Sequence, residues 1–333
     1  MNKKIIAQNE EIVIGVDVSD AKHNCAAVRV RGGVLIRDDV VKPDIEAWKK
    51  YLDKFPGCEI TVVYESGPQG YTLHDAITAL GRKIEVIAPV KHIGVKTDKR
   101  DARAIARDYL SGNVKIVSVP DYKKRVRRQA LRLRGQFKKD LIRVKNRMSG
   151  LKRFHGIKSL LTPWRKAEND EYLQFCLGEL ELTAAFYEER IAEIEAVLGR
   201  IARDEEYRPM VEKLKKIKGI GELTALEIVL EVADMEKFRT GDEFASYTGL
   251  CPGERSSGET RRQGHITRQG PGRLRGALVR CAWVVVMHDA EEKKRFEAMV
   301  KRTGRKRAIV AVARRLAVRV WWTLMKSPLE KAA

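Results

Sequence analysis

The sequence predicts an α/β domain followed by two helical segments, and three observations carry that expectation. Over residues 11–119, short apolar runs of strand character alternate with runs of helical spacing. From 120 to about 208 the strand signal stops and long helical runs take over. From 209 to 333 helical texture continues, interrupted by a Gly-Ile-Gly turn and a long glycine-rich loop.

In the first part, EIVIGVDVS (11–19), NCAAVRV (24–30) and GVLIRDDVV (33–41) read as three consecutive strands. In DIEAWKKYLDKF (44–55), Ile45, Trp48, Tyr51, Leu52 and Phe55 share one side of a helix. EITVVYES (59–66) is a fourth strand, YTLHDAITALGRK (71–83) a second helix and KIEVIAPV (83–90) a fifth strand. KTDKRDARAIARDYL (96–110) supplies the third helix. The order βββαβαβα is that of the RNase H-like fold.

The middle segment is split by charge. Residues 123–158 hold fifteen Lys or Arg against one acid, Asp140, whereas 168–206 hold twelve Asp or Glu against three Arg. HGIKSLLTPW between them, with Gly156 and Pro163, suits a turn, so the two helices should pair antiparallel. Leu177, Leu180, Ala184, Tyr187, Ile191, Ile194, Leu198 and Ile201 form a coiled-coil-like seam. An ordinary helical hairpin and an arm for assembly are both compatible with it. The surplus charge of the first helix, including Arg125, Arg128 and Arg132, can also track a nucleic-acid backbone.

In the last segment, LKKIKGIGELTALEI (214–228) has the helix-hairpin-helix pattern. There Lys218 and the N–H groups around Gly219 and Gly221 can cradle a phosphate without reading sequence. The stretch 247–278 carries seven glycines with many arginines and serines, too polar for a core. Loops of that size inside a compact domain are usually functional.

Composition narrows the function. Hydrophobic residues make up 44%, enough for a folded chain of two or three domains. The N-terminus has no apolar core that would mark a signal peptide. The most apolar stretch, 308–325, is broken by Arg314, Arg315 and Arg319, so no membrane span is expected. Five scattered cysteines without a CxxC pair argue against zinc or a disulfide framework and for a reducing cytoplasm. A formal net charge of +21, clustered along the chain, points to nucleic acid, with a merely basic solvated surface as the alternative.

The acids of the first part suggest chemistry. Asp17 lies in one apolar strand and Glu65 ends another, while Asp98 and Asp101, three apart, share a helical face. With the first and fourth strands adjacent, Asp17 and Glu65 would meet at the strand ends and the third helix would bring the aspartate pair over them. Four converging carboxylates need cations, and hard oxygen donors select Mg²⁺ or Mn²⁺. Two such ions about 4 Å apart could activate a nucleophile and stabilise a leaving oxygen at a phosphodiester. Taken singly, each acid also has an ordinary role: Asp17 in a turn, Glu65 on the surface, Asp98 as a helix cap.

Serine is the second candidate. Arg255-Ser256-Ser257-Gly258 sits where Arg255, Arg261, Arg262 and Arg268 could hold a phosphate under attack. Ser-Ser-Gly is also a common loop filler, and His265 reads as a phosphate contact or a structural residue rather than a general base.

Together IGVDVS, VVYES, KTDKRDARAIA, IKGIGELTALEI, FASYTGLCPGERSSGE and RRQGHITRQGPGRLRGAL resemble, in order, the one-ten insertion-sequence family of DEDD transposases. The resemblance runs over nearly the whole chain. It implies a RuvC-like nuclease domain (11–119), a coiled-coil hairpin (120–208) and a helical transposase domain carrying a catalytic serine (209–333). It further implies that Asp17, Glu65, Asp98 and Asp101 bind Mg²⁺ while Ser257 forms a 5′-phosphoserine link, Ser256 being the fallback in the doubled serine. A homodimer assembling to a tetramer, active sites shared between protomers, and a noncoding bridge RNA pairing with donor and target DNA are implied too. The turn after Glu65, Ser-Gly-Pro-Gln-Gly, departs from the family pattern. Two other readings stand beside this one: a metal-only junction nuclease using water, and a nucleic-acid-binding scaffold with structural acids.

Overall fold

The computed structural model describes residues 9–90, 98–157, 170–232, 234–254 and 263–325. The chain divides into two compact units, Met1–Val119 and Pro120–Ala333.

The first unit is built on a five-stranded mixed sheet. Its strands are β1 (Glu11–Val18), β2 (His23–Arg29), β3 (Leu35–Val41), β4 (Glu59–Glu65) and β5 (Lys83–Ile87), in the order β3-β2-β1-β4-β5. The first three are antiparallel neighbours, whereas β4 runs parallel to both β1 and β5. As the central strand, β1 is buried on both faces from Ile12 to Val16, which explains its unbroken apolar run. The side chains of Ile12, Ile14 and Val16 pack with α1 (Ile45–Leu52) and α2 (Thr72–Ala79) through Trp48, Tyr51, Leu52, Leu73 and Ile77. Asp44 caps α1, its carboxylate accepting from the Ala47 N–H at 2.8 Å.

The opposite face belongs to α3 (Asp98–Leu110). Val13, Val28, Val63 and Ile87 meet Ile105 and Ala106 there. Gly15, between Val13 and Asp17 on this face, lets the helix sit close: a Cβ would strike the Ala102 carbonyl and lie 2.7 Å from the Ala106 nitrogen. Arg103 ties the same helix to β3, its Nε 2.9 Å from an Asp38 carboxylate oxygen and a second guanidinium nitrogen on the other.

Among its described residues the second unit is helical apart from one small hairpin. Its two longest helices, α4 (Tyr122–Phe154) and α5 (Glu171–Arg203), pair antiparallel as their opposite charges predict. Leu177, Ala184, Ile191 and Leu198 are buried along α5 at seven-residue intervals. Ion pairs repeat at the same interval: Lys138–Glu195 at 3.2 Å, Lys145–Glu188 at 2.7 Å and Lys152–Glu181 at 3.4 Å. Exposed pairs of this kind stabilise little, so their regular spacing bears on register more than on strength.

The remaining helices are α6 (Arg208–Lys215), α7 (Glu222–Glu231), α8 (Gly241–Tyr247), α9 (Gly272–His288), α10 (Ala290–Thr303) and α11 (Arg305–Met325). Their core joins Leu214, Leu226 and Ile228 to Leu278, Ala282, Ala313 and Ala317. Between α8 and α9 lies a hairpin of β6 (Pro252–Glu254) and β7 (Gln263–Ile266). Among the described residues no helix is long and apolar enough to cross a membrane. In α11, Arg314 and Arg315 pair with Asp242 and Glu292 instead, at 3.1 and 2.7 Å.

Candidate functional site

Three of the four predicted acids line one cleft. Because β1 and β4 are parallel with Val16 beside Tyr64, the next residues, Asp17 and Glu65, lie at the same level, just past the end of the β1–β4 pairing. Both follow the parity of the face covered by α3, and the first turn of that helix brings Asp101. A cleft of about 300 Å³ is lined by Asp17, Glu65 and Asp101 together with Ser66, Gln69 and Val90. One Glu65 oxygen accepts the Val90 N–H at 3.0 Å, which fixes the plane of that carboxylate. Asp98 is the first residue of α3, and its side chain lies outside the described residues.

Three carboxylates around one small cleft are hard oxygen donors of the kind Mg²⁺ and Mn²⁺ take. The donor chemistry therefore fits a divalent cation. Among the described residues no group of three His, Cys, Asp or Glu side chains is gathered tightly enough to hold one, so ligation requires the carboxylates to turn inward.

Arg255, Ser256, Ser257, Arg261 and Arg262 lie outside the described residues, but their platform does not. Glu254 pairs with Gln263 across the β6–β7 hairpin, so residues 255–262 connect the two strands along the chain. Two glycines seat this hairpin. Gly249 (φ +71°) and Gly270 (φ +105°) occupy backbone regions that favour glycine, and a Cβ on Gly270 would collide with the Tyr247 carbonyl. Arg268 is exposed, its N–H donating to the Gly249 carbonyl at 3.2 Å. Arg275 donates to the Thr248 carbonyl at 3.0 Å and so braces the same approach.

The predicted phosphate contacts separate into two groups. Arg132 and Lys218 are exposed, although Lys218 lies 3.8 Å from the Asp289 carboxylate. Gly219 (φ +85°) rests on α9, where a Cβ would come within 2.8 Å of Val285, and exposed Gly221 begins α7 without a side-chain cap. Arg125 is half-buried over the Tyr122 ring at 5.6 Å. Arg128 departs from expectation: it is only 8% exposed, and its Nε donates to the Leu230 carbonyl. That makes it an interior brace between α4 and α7 rather than a backbone contact.

Sequence reasoning passed over several residues near the acids. Gly15 and the Arg103–Asp38 pair seat α3, and Asn24 stands directly across from Asp17 in the β1–β2 ladder. A polar residue at the head of the run NCAAVRV was the available signal for Asn24. On the other face His23 is buried, accepts the Trp48 indole N–H at Nδ1 (2.9 Å), and is held below its ordinary pKa by burial.

Comparison with known proteins gives the same direction over most of the chain. A DEDD-type model for IS110, described as a transposase, matches residues 14–153, and a model described as "Transposase IS116/IS110/IS902 family" matches 211–297. A putative transposase, y4qE, of Sinorhizobium fredii is 29% identical over 84% of this chain and 73% of its own length. The transposase for insertion sequence element IS1533 of Leptospira borgpetersenii is 26% identical over 93% of this chain and 94% of its own. The transposase for IS1111A of Coxiella burnetii is 25% identical over 94% and 90%. With two family models covering more than half of its residues and relatives matched nearly end to end, the chain belongs to the IS110 family of insertion-sequence transposases and is an enzyme acting on DNA.

Proposed function

We propose that this transposase is a Mg²⁺-dependent serine recombinase whose acidic cleft and serine loop together cut and rejoin DNA. The observation that carries the reading is the convergence of Asp17, Glu65 and Asp101, from three separate elements, on one cleft. The strand order β3-β2-β1-β4-β5 with α3 across it supports an RNase H-like, RuvC-like nuclease domain. Asp98, one turn before Asp101 on α3, would complete the acid set.

When bound, divalent cations would supply positive charge at the scissile phosphate and stabilise its developing negative charge. Asp17, Glu65, Asp98 and Asp101 would hold them. Ser257, in the segment between β6 and β7, would bond through Oγ to phosphorus as the bond to the 3′ oxygen breaks. The hydroxyl proton is lost from the serine and one proton is gained by the released 3′ oxygen, so the step balances. Arg255, Arg261, Arg262 and Arg268 would hold the phosphate's other oxygens.

The remainder of the chain serves assembly and grip. We read 11–119, 120–208 and 209–333 as nuclease, coiled-coil and transposase domains. The seven-residue ion-pair repeat supports the second, and the Gly219–Gly221 turn before an uncapped helix supports a helix-hairpin-helix phosphate contact. A homodimer assembling to a tetramer, a bridge RNA pairing with donor and target, and residence in the cytoplasm complete the proposal.

The test is Ser257→Ala, with Ser256→Ala beside it. Ser257→Ala should abolish strand exchange and the covalent protein–DNA adduct while DNA binding persists; full exchange in that variant would sink the serine assignment. Cleavage without any adduct in the unaltered protein would favour a metal-only nuclease using water, the reading that needs the acidic cleft alone.

A further inference from the structure

The acidic cleft has a neighbour that nothing so far employs. Asn24 is 3% exposed in β2, and its side-chain Nδ2 has no hydrogen-bond partner among the described residues. The β1–β2 register sets Val28 opposite Val13, Ala26 opposite Gly15, and Asn24 opposite Asp17. Val13, Val28 and the backbone of Gly15 all face α3, so the carboxamide of Asn24 shares that face with the Asp17 carboxylate. Residues directly opposite in an antiparallel pair have Cβ atoms about 4.5–5.5 Å apart, close enough for an amide to reach a carboxylate.

A buried amide N–H without a partner is unfavourable, and such groups in native proteins call for an explanation. The residues that follow Asn24, Cys25, Ala26 and Ala27, are buried and apolar, so the strand itself has no need of a carboxamide here. We propose that Asn24 is a positioning residue of the acidic site: once a divalent cation draws the Asp17 carboxylate inward, the Asn24 Nδ2 donates to the oxygen that faces away from the cation. The inference rests on the reading of the acids as a cation site.

The chemistry favours a neutral donor at this position. A carboxylate drawn to a cation through one oxygen leaves the other in need of a hydrogen bond, and a fixed donor sets the plane of the ligand. A lysine or arginine in the same place would compete with the cation for the carboxylate's charge. An amide orients Asp17 without neutralising it.

The test measures Mn²⁺ binding to the full chain without DNA, by the loss of the free-ion electron paramagnetic resonance signal, alongside melting temperature in EDTA. Asp17→Ala and Asp101→Ala should lose tight Mn²⁺ binding; if neither does, the cation site fails and this inference falls with it. With that site established, Asn24→Leu should weaken Mn²⁺ binding by about 10–100-fold, the usual effect of removing a group that orients a ligand. Its melting temperature in EDTA should equal or exceed that of the unaltered protein, since an unpaired polar group is removed. Asn24→Thr, a smaller β-compatible residue that keeps a donor, should stay within a few-fold of the unaltered affinity and remains informative if the leucine variant does not fold. Unaltered Mn²⁺ affinity in Asn24→Leu, or equal losses in the leucine and threonine variants, would overturn the assignment while leaving the acids in place.

Discussion

Gly15 on β1 lies against Ala106 on α3 so tightly that a Cβ at residue 15 would stand 2.9 Å from the Ala106 Cβ and 2.7 Å from its nitrogen. The neighbours are helix backbone and a short side chain, neither of which can swing aside. The contact therefore sets the height of α3 above the sheet, and with it the reach of Asp101 over Asp17.

Gly15→Ala should cost about 1–3 kcal/mol of stability, the usual range for overpacking a filled interior. Strand exchange should fall much further than stability, because lifting α3 moves Asp101 away from the sheet-borne acids while leaving the fold. Urea denaturation and an exchange assay on the same preparation check this; a stable variant with full exchange would show that the close seat does not set the site.

Much of the first unit was legible in the sequence. Each strand of the β1-to-β5 set and each of the three helices announced itself by apolar period and by turn residues between. Asp17 and Glu65 were conspicuous as acids where apolar strands run out. Gly15 was invisible, since a glycine in a strand does not name the helix that presses on it. Arg128 misled for a different reason. Lys124, Arg128 and Leu131 recur at spacings of four and three, which marks one helical face, and that face turned out to be the inner one. The density of positive charge along α4 hid the spacing. Burial also lowers the Lys124 pKa, as expected for a cation taken from water.

The two arginines should accordingly separate in experiment. Arg128→Ala removes a charged donor from the Leu230 carbonyl in the interior, so stability should fall by about 1.5–3 kcal/mol. Arg132→Ala, on the exposed side, should leave stability unchanged and weaken DNA binding over all sequences. If Arg132 meets a phosphate, its loss should also reduce the slope of log affinity against log salt by about one. Thermal melts and binding titrations at several salt concentrations distinguish the two outcomes.

Glu227 on α7 makes the second unit sensitive to pH. Burial pushes its carboxyl above the usual range, against the pull of the Arg280 guanidinium 2.9 Å away, and Glu231 adds to the rise. A folded-state pKa above the unfolded one means that the native protein holds this proton more firmly. The associated stability is fully present below the unfolded value and is lost as pH rises through the raised folded value. Glu227→Gln should therefore melt at or above the unaltered protein at pH 7–8, where the carboxylate is charged. That advantage should shrink as pH falls through the raised pKa and vanish below the ordinary carboxylate range near 4.5. Melting curves across that window check the sign; a Glu227→Gln protein less stable at pH 8 than at pH 4, relative to the unaltered chain, would make the Arg280 pair the dominant effect.

The β6–β7 hairpin, whose strands flank Ser256 and Ser257 in the chain, depends on a second glycine contact. Gly270 has φ +105°, and its missing Cβ is what keeps it clear of the Tyr247 carbonyl. Gly270→Ala combines backbone strain, about 1–3 kcal/mol at such positions, with a collision against backbone. The segment that brings Arg268 to Gly249 would have to separate from the end of α8, and β7 would move with it. The helices of the core, joined through Leu278, Ala282, Ala313 and Ala317, do not need that approach. Most of the helical circular dichroism should therefore survive in Gly270→Ala while strand exchange and the covalent adduct are lost. Retention of the adduct in this variant would mean that the proposed serine chemistry does not depend on the Gly270–Tyr247 seat.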